Sequence, residues 1–392
     1  MGITITAPRV LTGTADFAPG WIQIDGPRVV AVGGGAPPSR PDVELTTGVL
    51  TPGLVDAQIN GAFGVDFADA TEEQWAHVST ALAATGVTTY VPTFITAPVS
   101  EIADALRRFA AVRPKVEALA GAAQPVGAHV EGPFISERRR GAHRLEMLTD
   151  PTAELLDDLI EAGRDGVLCY LTLAPERAGA LDAVTRLVDA GVRVSVGHSD
   201  ATEAVTHAAA DRGATLVTHL YNAQRPLHHR DPGVTGAALV DERLTAGIIV
   251  DGHHVEAAAV RVAFACKPGK VMLVTDAVAA LGMPEGTYVL GGQDFVVSKG
   301  EVPRRNDGTI AGAACRLDDA IALTVAAGVP LRTAVEAATR VPADAIGRPD
   351  LGRLARGAQA DLVWLAPDGE HPLRARAVWI GGTLAHGEAT NR

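Results

Sequence analysis

The chain has 392 residues, a formal net charge of −12, 47% hydrophobic residues and only 4% aromatic ones. That length suits a large domain with a smaller satellite, and the acidic balance excludes sequence-independent nucleic-acid binding, which needs a basic footprint. Three scattered cysteines, Cys169, Cys266 and Cys315, form neither a disulfide framework nor a zinc-finger spacing. We expect all three to be buried packing residues of a protein in a reducing cytoplasm. MGITITAPRV lacks the basic-then-apolar order of a signal peptide. No apolar run approaches the roughly 20 residues that cross a bilayer, so no membrane partner is expected.

From the N-terminus, apolar and polar residues alternate to about Leu50, and WIQIDGPRVVAVGGG reads as a hairpin. The C-terminal segments ADLVWLAPDG and ARAVWIGGTLAHG read alike. Residues 1–50 and 352–392 therefore predict one small β-sandwich domain built from both termini. Between them, 51–351 repeat a strand-then-helix rhythm. The candidate strands are VLTPGLVDAQIN, TTYVPTFI, PVGAHVEGPF, VLCYLTLAPE, RVSVGHSD, ATLVTHLYNA, AGIIVDGHHV and KVMLVTDAVA. Several are continuous apolar runs, as in parallel strands covered on both faces. TEEQWAHVSTALAATG opens with a Thr-x-x-Gln capping box at Thr71 and Gln74 and closes at Gly86. After the last strand, RLDDAIALTVAAG and LRTAVEAATRVPADAIG add helices. Eight such strands predict an α/β fold, a (β/α)8 TIM-like barrel. A doubly wound sheet is the rival, and no G-x-G-x-x-G follows an early strand to support it.

In a barrel, chemistry collects at the C-terminal ends of the strands. Five of the eight candidate strands end in ionisable groups: Glu131, His198, His219, Asp251 with His253 and His254, and Asp276. Unpaired buried charge is costly, so five at one rim point to a site. Glu131, His198 and His219 supply the His2Glu set of a three-ligand catalytic zinc site. Fe2+, Mn2+ and Co2+ suit the same donors. Asp276 is placed to take a proton from water and return it to a leaving amine.

The order HVEGPF, GAH (Gly141 to His143), GHSDA, THLYNA, HHRDPG, DGHH and TDA resembles the N-acetylglucosamine-6-phosphate deacetylases, a branch of the amidohydrolase superfamily. LTPGLVDAQINGAFG before the barrel and GRLARGAQADLVWL after it resemble the wider superfamily. The resemblance implies hydrolysis of the N-acetyl group of N-acetylglucosamine 6-phosphate with one divalent metal per chain. It implies Glu131, His198 and His219 as metal ligands, Asp276 as base and acid, and His143 beside Ala142 as the group polarising the acetyl carbonyl. Asn222 and Ala223 would contact the phosphate, His254 the substrate, and the backbone around Ile310 and Ala311 would close over the sugar. Arg230 would reach the phosphate in the neighbouring subunit of a homodimer. No role is assigned to His228, His229 or the Arg138–Arg140 loop.

Two stretches depart from the family pattern. Asn222-Ala223-Gln224-Arg225 stands where Asn-Ala-Met is common, and Arg144-Leu145-Glu146 follows GAH. Placed at the substrate rim, these changes leave a galactosamine epimer open. An unphosphorylated N-acyl substrate and a non-catalytic sugar-phosphate-binding barrel are the remaining rivals. Finally, Gln58 and Asn60 alternate on the first strand, where many related barrels carry His-x-His. Neutral amides are poor ligands for a second transition metal, so a one-metal site is expected. Asn60 is expected to satisfy nearby backbone and Gln58 to hydrogen-bond the attacking water.

Overall fold

The computed structural model describes residues 2–388. The expected satellite's last residues, 389–392, lie outside them. Eight parallel strands form the centre: β1 (Leu54–Ile59), β2 (Val87–Ile95), β3 (Ala128–Glu131), β4 (Leu168–Leu173), β5 (Arg193–Val196), β6 (Leu216–Val217), β7 (Thr245–Ile248) and β8 (Val271–Leu273). Each pairs with the next in chain order. A bridge between Ile59 and Ala277 joins the ends, and the Asn60 N–H donates to the Ala277 carbonyl at 2.7 Å. The result is the TIM-like barrel.

The sequence-predicted capping box forms as written. Gln74 N–H donates to Thr71 Oγ1 at 3.3 Å, and Thr71 N–H donates to Gln74 Oε1 at 2.8 Å. The helix it starts, Glu72–Ala83, buries Trp75, Val78 and Leu82 at i, i+3 and i+7. Trp75 stacks on Phe67, which also stacks on Tyr90 of β2. Gly86, at φ +91°, then turns the chain into β2, a conformation that suits glycine.

Strands from both termini build the satellite. Val49–Pro52 pairs antiparallel with Leu362–Asp368, within a six-stranded sheet. A four-stranded sheet faces it and contains the expected hairpin, Gly20–Asp25 with Arg28–Gly34. Ile5, Ile22 and Ile24 from one sheet and Leu50, Trp364 and Trp379 from the other share one core. This is the small β-sandwich domain.

Inside the barrel lies a paired polar layer. The His129 ring contacts Thr93 Oγ1 at 3.1 Å and Thr172 Oγ1 at 2.7 Å, and Thr172 continues to Thr218 and Ser195. His129 also stacks on Tyr170, with centroids 3.9 Å apart. Burial pulls its pKa down to about 3, so it is a neutral packing residue.

Three expectations need correction. The ATLVTHLYNA strand spans only Leu216–Val217, because His219 and Tyr221 adopt positive φ and turn the chain at once. Beyond β8 an antiparallel hairpin, Gly286–Leu290 with Gln293–Val297, precedes the helices. Its Leu290 and Phe295 pack with Val278, Ala280 and Ala311 beside the mouth of the barrel. Cys266 is exposed at the end of helix Ala257–Cys266, unlike the largely buried Cys169 and Cys315. No helix among the described residues is long and apolar enough to cross a membrane.

Candidate active site

Glu131 ends β3, while His198 and His219 stand two residues beyond β5 and β6. Their donor atoms converge. His219 Nε2 lies 3.0 Å from Glu131 Oε1 and 3.1 Å from His198 Nε2, which lies 3.2 Å from Glu131 Oε1. The opposite ring nitrogens are committed to main-chain carbonyls: His198 Nδ1 to Arg139 at 2.8 Å, and His219 Nδ1 to Asn222 at 3.2 Å. A carbonyl only accepts, so both Nδ1 atoms carry protons and both Nε2 atoms turn inward. Two imidazole nitrogens and a carboxylate packed this closely need a cation or a proton between them. The buried trio of Glu131, His198 and His219, with donor atoms 3.0–3.2 Å apart, therefore fits a divalent metal. Without one, Glu131 holds the His219 imidazole above its ordinary value, at about 8, against the opposing effect of burial. The two histidines reciprocally hold the Glu131 carboxyl well below its ordinary range, although burial pushes the other way.

The backbone here is unusual. His198, His219 and Asp276 have φ of +47°, +29° and +49°. Non-glycine residues in this region cost about 1–3 kcal/mol each and persist where their surroundings over-determine them. Such strain is concentrated where the ionisable side chains meet.

Asp276 follows β8 and faces the same cleft. Gln58 Nε2 donates to its Oδ1 at 3.1 Å and Asn60 Nδ2 donates to the same atom at 2.7 Å. Gln58 Nε2 also lies 3.3 and 3.4 Å from the two Glu131 oxygens. The β1 amides thus bring N–H groups to two carboxylates. Asn60 reaches the Asp276 side chain first and its main-chain carbonyl only at 3.4 Å, which corrects the expectation that it merely satisfies backbone. Burial and the Glu131 charge raise the Asp276 pKa to about 6. Asp276 Oδ2 has no hydrogen bond among the described residues.

The cleft encloses about 360 Å³. Ala142, His143, Asn222, Ala223, His254 and Ile310 line it with the four residues above. His143 Nδ1 meets Thr96 Oγ1 at 2.7 Å, and its ring packs edge-on to His198 at 4.4 Å. Its donor atom lies within 4.8 Å of those of Glu131 and His198, a looser grouping than the trio. Burial and His198 lower its pKa to about 3, so the ring is neutral. Thr96 is missed by sequence reading, although it directly follows β2. Gly132, at φ +84°, admits it: a Cβ there would lie 2.2 Å from Thr96 Oγ1.

His254 is held by Asp251, Nδ1 to Oδ2 at 2.7 Å. Ala311 lies behind the cleft wall, 2% exposed, with its N–H donated to the Pro303 carbonyl. Arg230 is exposed and does not line the cleft of its own chain; its guanidinium donates to His229 Nε2 at 2.9 Å. Arg138 and Arg139 do line it, both paired with Asp200. Gln224 is not a rim residue. It is 3% exposed and braces the turn, donating to the Thr218 carbonyl at 2.7 Å. Arg144 pairs with Glu146 at the surface.

Residues 49–386 match the model of the amidohydrolase family. The chain belongs to that family. It is 37% identical to an N-acetylglucosamine-6-phosphate deacetylase of Vibrio furnissii, over 87% of this chain and 84% of that one. It is equally 37% identical to an N-acetylgalactosamine-6-phosphate deacetylase of Escherichia coli O157:H7, over 88% of each. Among solved structures, it resembles a mutant N-acetyl-D-glucosamine-6-phosphate deacetylase of Mycobacterium smegmatis in complex with N-acetyl-D-glucosamine-6-phosphate. That likeness has a TM-score of 0.91 and 39% identity, and covers 98% of this chain and 99% of that one. The amidohydrolase motifs seen in the sequence therefore lie on the matching barrel.

Proposed function

We propose that this amidohydrolase removes the N-acetyl group of N-acetylglucosamine 6-phosphate, giving glucosamine 6-phosphate and acetate. The observation that carries the reading is the cleft floor, where Asp276 stands beside the converging Glu131, His198 and His219 donors. One divalent cation on those three residues, Zn2+ by default with Fe2+, Mn2+ or Co2+ tolerated by the donors, would polarise the amide carbonyl and acidify water. The β1 amides support a single cation: their N–H groups face the Glu131 and Asp276 carboxylates, where a second cation would be repelled.

Asp276 takes the proton of the attacking water and returns it to the leaving nitrogen as the C–N bond breaks. Its hydrogen bonds fall on Oδ1, which leaves Oδ2 for proton transfer. His143, neutral, donates from Nε2 to the developing oxyanion. This requires the single Thr96 hydroxyl proton to turn from the Glu131 carbonyl, to which it donates at 3.2 Å, to His143 Nδ1, 2.7 Å away.

The turn carrying Asn222 and Ala223 receives the phosphate, His254 contacts the sugar, and Ile310, backed by the buried Ala311, forms the closing wall. Arg230, exposed and unable to serve its own cleft, supplies a guanidinium to the neighbouring cleft of a homodimer. The expected setting is the cytoplasm.

The galactosamine epimer is the second reading, favoured by the equal identity to the Escherichia coli O157:H7 relative. Acetate release from both N-acetylhexosamine 6-phosphates and from unphosphorylated N-acetylglucosamine, each with zinc, iron, manganese and cobalt, tests reaction, substrate and metal together. Turnover that ignores the 6-phosphate would overturn the assignment.

A further inference from the structure

Asn60 has two ends, and Asp276 accounts for only one. Its Nδ2 points at Asp276, 2.7 Å from Oδ1 and 3.4 Å from the main-chain carbonyl. That carbonyl can only accept, so the carboxamide's orientation is fixed with nitrogen toward Asp276 and oxygen away. Asn60 Oδ1 is buried and has no hydrogen-bond partner among the described residues, although Asn60 is 3% exposed and lines the cleft. An orphaned buried acceptor is uncommon and asks for an explanation. Burial alone does not supply one: the equally buried Gln58 brings its Nε2 to both carboxylates.

The chemistry of the proposed substrate narrows the partner. An acceptor needs a donor, and the acetyl carbonyl and the phosphate offer none. Near the scissile bond the donors are the attacking water, the sugar hydroxyls at carbons 1 and 3, and the amide N–H, which becomes an amine after cleavage and alone must meet the proton held by Asp276. Asn60 Oδ1 and Nδ2 share one carbon, so a group seated on Oδ1 neighbours the Asp276 carboxylate. That is where the leaving nitrogen must stand to receive its proton.

Resting on the deacetylase reading, we propose that Asn60 Oδ1 accepts a hydrogen bond from the scissile nitrogen of the substrate. One carboxamide then holds the proton donor with one atom and the proton acceptor with the other. Asn60 exchanges no proton. Water oxygen bonds to the carbonyl carbon, the C–N bond breaks, and the water proton passes through Asp276 to the nitrogen, giving acetate and the amine. Asn60 thereby favours an N–H at carbon 2 of the sugar over a group that cannot donate.

Binding to the zinc-loaded enzyme tests this apart from turnover. Calorimetry compares glucosamine 6-phosphate with 2-deoxyglucose 6-phosphate, which lacks a donor at carbon 2, for the wild type and Asn60→Leu. The wild type should prefer the amine, and the variant should lose roughly tenfold of that preference, with zinc content unchanged. Losing the Nδ2 donor frees the Asp276 carboxylate, which by itself would strengthen amine binding. A fall in preference therefore belongs to Oδ1. Asn60→Ala gives the same comparison if leucine is not accommodated. An undiminished amine preference in a folded, zinc-loaded variant overturns the inference. Failure of the wild type to bind either ligand overturns the deacetylase reading, and the inference with it.

Discussion

Glu131, His198, His219 and Asp276 stand at or just past strand ends, between 2% and 9% exposed, whereas Arg138 stands on a connection with 83% of its side chain exposed and Arg230 is likewise open to solvent. On the floor, ring nitrogens and carboxylate oxygens are held by carbonyls and β1 amides. At the mouth, the exposed Arg138 guanidinium pairs with the part-buried Asp200 and Arg230 with the neighbouring His229 imidazole, contacts that water competes with on the guanidinium side. Rigid strands hold reacting groups within tight tolerances, while loops supply recognition. Floor substitutions should therefore act on kcat, and mouth substitutions on KM.

The largest effect is expected at Asp276. Asp276→Asn should cut kcat by about 10²–10⁴-fold while elemental analysis still finds the cation. Turnover close to wild type would remove Asp276 from the chemistry. Next comes the brace beneath His143. Thr96→Val withdraws the hydroxyl that sets the imidazole tautomer and should cost roughly ten- to a hundredfold in kcat with little change in KM. If KM alone rises, His143 binds ground-state substrate and the floor is less purely catalytic than its rigidity suggests.

At the mouth, Arg230→Ala should raise KM for the phosphorylated substrate by about tenfold and leave kcat intact. A kcat effect there would break the division between floor and mouth. The smallest effect concerns cation loading. His219, held up to about 8 in the metal-free protein, is mostly protonated at pH 7 and must lose that proton to become a ligand. Loading should release close to one proton, and affinity should fall by about tenfold for each pH unit below 8. Calorimetry in buffers of different ionisation enthalpy measures the release. No release at pH 7 would mean that His219 is already neutral.

Much of the floor was legible in sequence because barrel topology converts strand ends into neighbours. HVEGPF, GHSDA, THLYNA and TDA each place one polar side chain at a strand end, and closure of β1 to β8 brings them together. Residues acting through a second contact were less legible. Thr96 is one threonine among several in TTYVPTFIT until Gly132 admits its hydroxyl beside His143. Gln224 looked like a change at the substrate rim, yet the positive φ of His219 and Tyr221 turns it under the loop. The hairpin after β8 carries a Gly291-Gly292 turn between YVL and QDFVV, a local signal overshadowed by the stronger barrel rhythm.

The sequence by itself determined the barrel, the satellite built from both termini and the strand-end positions of Glu131, His198, His219 and Asp276, since hydrophobic period, turn residues and strand-end chemistry are local. Only tertiary structure decided what Gln58 and Asn60 do. On the strand they are two amides on one face. Across the closed barrel they meet Asp276, 218 and 216 residues away in sequence, and Gln58 also meets Glu131. The direction of a carboxamide depends on what stands opposite it, and barrel closure places those carboxylates there.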